Sequence, residues 1–364
     1  MTRLTFTRLG YFIVFICSSY LVQAQIPWLP REASPAASVS QTVGISKISV
    51  DYSRPSVRGR EVWGVLVPYG WDKNGSAIGL ESPWRAGANE NTVLHLSHDA
   101  IVEGTKVPAG NYGLTFIINK DNTGEVILSK DYKSWGSFWY DPKQDQMRAK
   151  ITIRDVPESV EKLYYSFDSV SRTWAELDLN WAKKQFPVKI EFDVDRIVMD
   201  NAREVLNGQP AFQYQNLNGA ANYALAHDID TALAMQWINR SIAAKPDNYQ
   251  GYLTKAGLLK KAGDSVASAK LLKDAQQFGD INELNAYGYQ LLGEKNYPQA
   301  IDALKLNTQK HPDIANCWDS LGEAYALSGD KKNAIINFKK SLSLNPPPLV
   351  RANSEKYLKQ LGAM

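Results

Sequence analysis

Residues 315–346 read ANCWDSLGEAYALSGDKKNAIINFKKSLSLNP. Trp318, Leu321, Gly322 and Tyr325 share one face of a first helix, and Ala334 and Phe338 share one face of a second. Gly329-Asp330 separates them and Pro346 ends the second. Small residues at Gly322 and Ala334 let two antiparallel helices approach closely, and Trp318, Tyr325 and Phe338 fill the remaining space.

The same pattern lies one unit earlier, at Leu284, Tyr287, Gly288, Leu291, Ala300, Leu304 and Pro312. A weaker copy runs through Ala256, Leu259, Gly263, Ser268, Leu272 and Ala275, and a still earlier one through Leu225, Ala234, Ile238 and Pro246. The step from Pro312 to Pro346 is one full period. The stretch from Pro246 to Pro312 makes two periods, one of them two residues short. The period and residue types resemble tetratricopeptide repeats, so residues 215–364 are expected to form a helical solenoid of three to four repeats. Residues 196–214 read as a linking helix, Ile197–Leu206, and a linker through Asn207-Gly208-Gln209-Pro210.

Ahead of Arg196 the period changes from 3.6 to 2. Nine short β-branched or aromatic runs are separated by Gly, Pro, Asn and Asp: Val43–Asp51, Glu61–Leu66, Thr92–Ser97, Gly113–Ile118, Glu125–Ser129, Met147–Ile153, Lys162–Asp168, Thr173–Asn180 and Val188–Val194. Asp121-Asn122-Thr123-Gly124 reads as a hairpin turn. In the sixth run Ala149, Ile151 and Ile153 alternate with Arg148, Lys150 and Thr152, a core face and a wet face. The expected architecture is therefore multidomain β + α: an antiparallel β-sandwich-like domain over 41–195, then the helical solenoid.

The chain has 364 residues, enough for two cores, and a formal net charge of +3 with 22% charged residues. That near-neutral balance gives no electrostatic footing for nucleic-acid binding. Arg3 and Arg8 followed by the apolar run Leu9–Val22 and by Val22-Gln23-Ala24 read as a signal peptide over 1–24 with cleavage after Ala24. The run is short of the roughly 20 residues of a bilayer span, and no later segment is apolar enough to be one. Cleavage would leave Cys317 as the single cysteine and Pro-, Ala- and Ser-rich residues 25–40 as a flexible leader. The mature protein is expected to be exported, periplasmic or extracellular.

Several long motifs in order carry a resemblance. They are Gln41-Thr42-Val43-Gly44 running on to Asp51-Tyr52-Ser53-Arg54-Pro55, Gly59-Arg60, Leu66-Val67-Pro68-Tyr69-Gly70, and Trp84-Arg85-Ala86-Gly87-Ala88-Asn89-Glu90-Asn91-Thr92. Then follow Val102-Glu103-Gly104, Pro108-Ala109-Gly110-Asn111-Tyr112-Gly113, and Trp135-Gly136-Ser137-Phe138-Trp139-Tyr140-Asp141-Pro142 with Asp145 and Arg148. Residues 41 to about 153 resemble a bacterial envelope family known as domain of unknown function 2911. The resemblance implies fold and location and no activity. One departure stands out: in the family the Pro-Tyr-Gly motif runs almost directly into Trp-Arg, whereas here residues 71–83, WDKNGSAIGLESP, intervene.

Common catalytic signatures are missing: no G-x-S-x-G, no phosphate-binding G-x-x-x-x-G-K-[ST], no dinucleotide G-x-G-x-x-G after a strand and no H-E-x-x-H. His95 and His98 are three apart on a strand and its end, so they point to opposite faces and share no metal. No cofactor is expected. The polar motif residues remain as candidates for a small polar ligand or glycan: Arg54, Arg60, Trp84, Arg85, Asn89, Glu90, Trp135, Trp139, Asp145 and Arg148. Arginine forks suit carboxylate, phosphate or sulfate, and flat tryptophans suit sugars. Glu90 and Asp145 could also act as an acid/base pair in a hydrolase if burial splits their pKa values. The same residues equally suit Arg–carboxylate pairs that lock loops together. In the solenoid, Asn282, Asn285, Tyr289, Asn316, Asp319 and Glu323 fall on the expected concave face. That face carries no lysine or arginine, which argues against a clamp for a terminal carboxylate and for a peptide or a basic or neutral protein surface.

Overall fold

The computed structural model describes residues 33–73 and 75–364. The expected signal peptide and residues 25–32 of the leader lie outside them. The described residues divide into two compact units, one up to Phe192 and one from Asp193.

The first unit is built from ten antiparallel strands among the described residues: β1 (Ala36–Val43), β2 (Ser46–Ser53), β3 (Val93–Leu96), β4 (Ala100–Val102), β5 (Thr105–Val107), β6 (Gly110–Ile118), β7 (Thr123–Ser129), β8 (Asp145–Thr152), β9 (Arg154–Val170) and β10 (Trp174–Glu191). They form a six-stranded sheet, β1-β2-β3-β6-β7-β8, and a four-stranded sheet, β5-β4-β10-β9. Rings cross between the sheets, Tyr52 to Tyr165 at 4.8 Å and Phe116 to Phe186 at 5.2 Å. The expected hairpin is present, with Ile118 opposite Gly124 and Asn122 left-handed at φ 64°. Along β8 and its end, Ile151 and Ile153 are buried while Arg148, Lys150 and Thr152 are exposed.

Three expectations about this unit change. Residues 36–40 are not leader but the first half of β1, which pairs with β2 from Ala36↔Ser53 to Val43↔Ser46. Its Ala- and Ser-rich composition hides it, because an edge strand needs backbone partners more than apolar side chains. Glu61–Leu66 is not a strand but a tight turn, closed by Val67 N–H donating to the Val62 carbonyl and containing Gly64 at φ 90°. The runs Thr173–Asn180 and Val188–Val194 belong to one long strand, β10, whose pairing with β9 shifts register around Ala182, left-handed at φ 48°; Val194 itself already starts a helix.

The second unit has ten α-helices. α1 (Val194–Val205) is the expected linking helix, starting three residues early; its Met199 is buried in one cluster with Leu217, Ala221 and Trp237, so it belongs to the solenoid core. Four helix pairs follow: α2 (Tyr214–His227) with α3 (Thr231–Ala244), α4 (Tyr249–Lys261) with α5 (Ser265–Ala275), α6 (Ile281–Gly293) with α7 (Tyr297–Lys310), and α8 (Ala315–Leu327) with α9 (Lys331–Ser343). The close approach that the sequence demands is there: a Cβ at Gly288 would fall 2.6 Å from Leu304, and one at Gly322 2.9 Å from Phe338. Asp230, Asp264 and Asp330 each cap the second helix of a pair by accepting from a backbone N–H three residues on. Asn296 stands in the same place before α7. Counted between these four caps, the first and last steps are equal and the middle one is two residues shorter. The missing two residues therefore fall between Asp264 and Asn296, where α5 ends early in a 3-10 turn, Gln276–Phe278. α10 (Pro348–Gln360) completes the solenoid as an unpaired first helix, with Tyr357 stacked on Phe338 at 5.0 Å.

One buried carboxylate gives the β unit a pH dependence. Asp178 on β10 is 1% exposed, and its Oδ1 has no hydrogen-bond partner. Burial first, and then the nearby Glu176 carboxylate, push it up to about 7, against the weaker pull of Arg154 at 3.9 Å. The folded pKa lies above the unfolded one, so this stabilisation is full below about pH 4 and is lost as pH rises through about 7. Asp178→Asn is expected to raise stability by up to a few kcal/mol at pH 8 and by nearly nothing at pH 4. Denaturant midpoints at both pH values test this; an offset that is the same at both would refute it.

Candidate functional site

The segment from Trp84 to Thr92 runs from a bridge with Phe116 to the start of β3, and it is held by unusual backbone. Ala86 and Asn89 are left-handed, at φ 55° and 63°. Ala86 is fully buried, and its carbonyl accepts from Tyr165 Oη at 2.9 Å and Thr92 Oγ1 at 3.2 Å. Gly87 lies where a Cβ would come within 3.1 Å of the Ser53 carbonyl. Such strain persists only because its surroundings fix it, and it is concentrated where side chains must be aimed.

What the loop aims is Arg85. Its Nη1 donates to the Asn89 carbonyl at 2.8 Å, and its guanidinium lies against Gly136, where a Cβ would be 2.6 Å from the guanidinium carbon. Gly136 has φ 58°, so no other residue fits comfortably. Burial lowers the pKa of Arg85, and no carboxylate acts on it. Arg85 lines a cavity of about 400 Å³ together with Arg60, Trp84, Asn89, Trp181 and Asp72, with Leu66, Val67 and Pro68 on the apolar side. Arg60 is fixed by its own turn, donating from Nε to the Val57 carbonyl at 3.0 Å and from Nη2 to the Ser56 carbonyl. Trp84 stacks on Trp181 at 5.8 Å and 15°, and it also packs on Phe186 at 5.9 Å.

Four of the ten ligand candidates thus converge: Arg60, Trp84, Arg85 and Asn89. The others do not line the cavity. Arg54 Nε donates to the Leu163 carbonyl at 2.8 Å, tying the end of β2 to β9. Asp145 accepts from Tyr140 Oη and Arg148 Nε, and Arg148 Nη2 donates to Tyr140 Oη at 2.7 Å. Arg148 also lies 5.1 Å over Trp71. Asp145 is therefore half of a closed ion pair that pins residues 71 and 140 to β8. Glu90 is exposed and lies outside the cavity, as Asp145 does. Trp135 caps and Trp139 ends a 3-10 turn, Gly136–Trp139, and each is about half exposed. The extra residues 71–83 dock on that turn: Asp72 and Ser82 pair through two 2.9 Å backbone bonds, and Ala77 N–H donates to the Phe138 carbonyl.

Ten of the fourteen lining residues are outside the sequence candidates, Trp181 and Asp72 among them. Trp181 lies deep in a long strand and reads as core; Asp72 belongs to the extra loop. His95 bridges Asp51 and Asn111 at 2.7 Å to each, while His98 pairs with Ser97. Among the described residues no group of three His, Cys, Asp or Glu side chains could hold a metal, and no helix is long and apolar enough to cross a membrane.

Residues 34–190 match the family described as "Protein of unknown function (DUF2911)". The first unit carries a DUF2911 domain. No curated protein matches the chain in sequence. Among solved structures the chain is similar to YrrB, "a TPR protein with an unusual peptide-binding site" (16% identity, 44% of this chain and 84% of that one, TM-score 0.29). It is also similar to MamA (16%, 40% and 80%, 0.29) and to Pseudomonas aeruginosa PilF (21%, 44% and 70%, 0.28). At these scores they carry no argument; the tetratricopeptide assignment of the second unit rests on its own helix pairs and close-approach glycines.

In the second unit the candidate groove residues divide. Asn282 and Asn316 are exposed, and Tyr289 is 38% exposed. Asp319 is buried and accepts from Asn353 and Ser354 of α10, which leaves it an internal group, not a contact for a partner. Glu323 accepts from Tyr289 Oη and from Tyr357 Oη, each at 3.0 Å. Burial raises the pKa of both tyrosines, that of Tyr357 to about 12. Asn285 is half-buried, and its side-chain oxygen has no partner. The sequence signal missed was α10, whose Asn353 and Tyr357 stand one full repeat period after Asp319 and Glu323.

Asp145→Ala is expected to destabilise the DUF2911 unit by roughly 1–3 kcal/mol, because it strands an arginine and a partly buried tyrosine hydroxyl. Arg148→Met with Asp145→Leu in one chain should recover much of that loss. Chemical denaturation measures both, and a single variant as stable as the parent would contradict the closed network.

Proposed function

We propose that the protein is an exported, non-catalytic binding protein with two working surfaces. The DUF2911 unit holds a small ligand in the Arg60–Arg85–Trp84 cavity, and the concave face of the repeats holds a protein or peptide. The observation that carries this reading is the separation of the motif residues. Arg60, Arg85 and Trp84 meet in an open cavity, whereas Asp145 is spent on Arg148 and Tyr140 and neither it nor Glu90 lines that cavity. Binding groups without the expected acid/base pair support recognition over hydrolysis.

The repeat surface that remains for a partner comprises Asn282, Asn285, Tyr289 and Asn316. Neutral amides and one tyrosine edge suit the backbone of an extended peptide. Export rests on the Arg3/Arg8, Leu9–Val22 and Ala24 pattern.

Two measurements test the reading. Full-length chain used as bait in a native extract should retain a specific protein. That protein should be lost on Asn285→Ala with Tyr289→Ala and kept on Trp84→Ala. No retained protein, or loss that follows Trp84 instead, removes the adaptor role. Mass spectrometry of the protein expressed in its host should find Gln25 at the amino terminus in the exported fraction; an intact Met1 in the cytoplasm removes export.

A further inference from the structure

We propose that the cavity of the DUF2911 unit takes a carboxylate joined to a flat apolar group. The inference rests on that cavity being a ligand site, and it names what the site recognises.

The anion follows from Arg85. Its side chain is oriented before any ligand arrives, by the Asn89 carbonyl at one nitrogen and by the Gly136 backbone beside it. Its Nε and Nη2 have no hydrogen-bond partner among the described residues, so donors that match a carboxylate's two oxygens remain available. Arg60 adds a second cation on the same cavity. A half-buried guanidinium without a salt bridge among the described residues is costly, and an incoming anion relieves that cost.

Inorganic phosphate meets the same two arginines but brings no apolar group, so it forgoes the rest of the lining. The flat apolar part follows from the rest of the lining. Trp84 and Trp181 present stacked indoles, and Leu66, Val67 and Pro68 continue the apolar surface. The indole N–H of Trp181 is buried without a partner, a donor that a ligand oxygen could satisfy. A cavity of about 400 Å³ matches a small molecule of this kind and is too small for an oligosaccharide to be enclosed.

The test uses the full chain and four probes: trans-cinnamate, cinnamyl alcohol of the same shape without charge, inorganic phosphate, and methyl β-glucoside. Calorimetric titration should give cinnamate binding about tenfold or more tighter than the alcohol, the size of a charge-assisted contact. Phosphate and the glucoside should bind far more weakly. Arg85→Gln should erase the preference for cinnamate over the alcohol, and Arg85→Lys should keep part of it. Should Arg85→Gln fail to fold, the unmodified chain still decides: added salt should weaken cinnamate and leave the alcohol unchanged. Equal binding of cinnamate and alcohol overturns the inference and leaves the cavity as a site. So does glucoside binding that Trp84→Ala removes. Phosphate binding as tight as cinnamate overturns the apolar part of the inference. If none of the four binds, both the inference and the ligand site fall.

Discussion

The contact between the Arg85 guanidinium and the backbone of Gly136 organises the β unit's polar loops. It needs a residue without a Cβ and with positive φ on one side, and a left-handed Ala86 and Asn89 on the other. Each condition is met by a separate element: the 3-10 turn at 136–139, the 84–92 loop, and Tyr165 on β9 holding the Ala86 carbonyl. The same turn receives the extra loop 71–83, and the Asp145–Tyr140–Arg148 network anchors its far end. The long motifs of the chain thus have two jobs that sit side by side. Some residues are clamps, and a few are held by those clamps to face open space.

Legibility followed the range of the interaction. Gly322 against Phe338 and Gly288 against Leu304 were readable because both partners lie within one repeat at a fixed spacing. The turn at Asp121–Gly124 was readable for the same reason. β1 was not, since its Ala- and Ser-rich strand is specified by pairing with β2 and not by its own propensity. Glu61–Leu66 has strand composition, yet Gly64 turns it back on itself beside Tyr69. In the candidate site the residue types were right, but spacing along the chain could not say which arginine meets a carboxylate and which meets a cavity. Trp181 was invisible as a site residue because a tryptophan in a buried strand looks the same whether or not a cavity touches it.

The solenoid shows how charge on a concave face can be internal. Glu323 sits between two tyrosine hydroxyls, and Asp319 is covered by an asparagine and a serine from α10. Both carboxylates therefore act along the stack, from one repeat to the next, and stiffen it. What remains outward is nearly neutral. The repeats of such a unit differ less in fold than in whether the following helix consumes their polar groups.

The shortened α5 has a consequence for how this solenoid could grow. In the later repeats a polar group reaches the matching position of the next first helix: Tyr289 meets Glu323, Asp319 meets Asn353 and Glu323 meets Tyr357. Across the shortened unit the match slips. Gln250, two residues after its cap Asn248, meets Glu283, three residues after its cap Asp280. The later repeats are thus interchangeable parts with a common thread, and the α4–α5 unit is an adapter cut to a different one. Copying the α6–α7 or α8–α9 unit in place extends the threaded row. Copying the adapter instead repeats its shifted spacing.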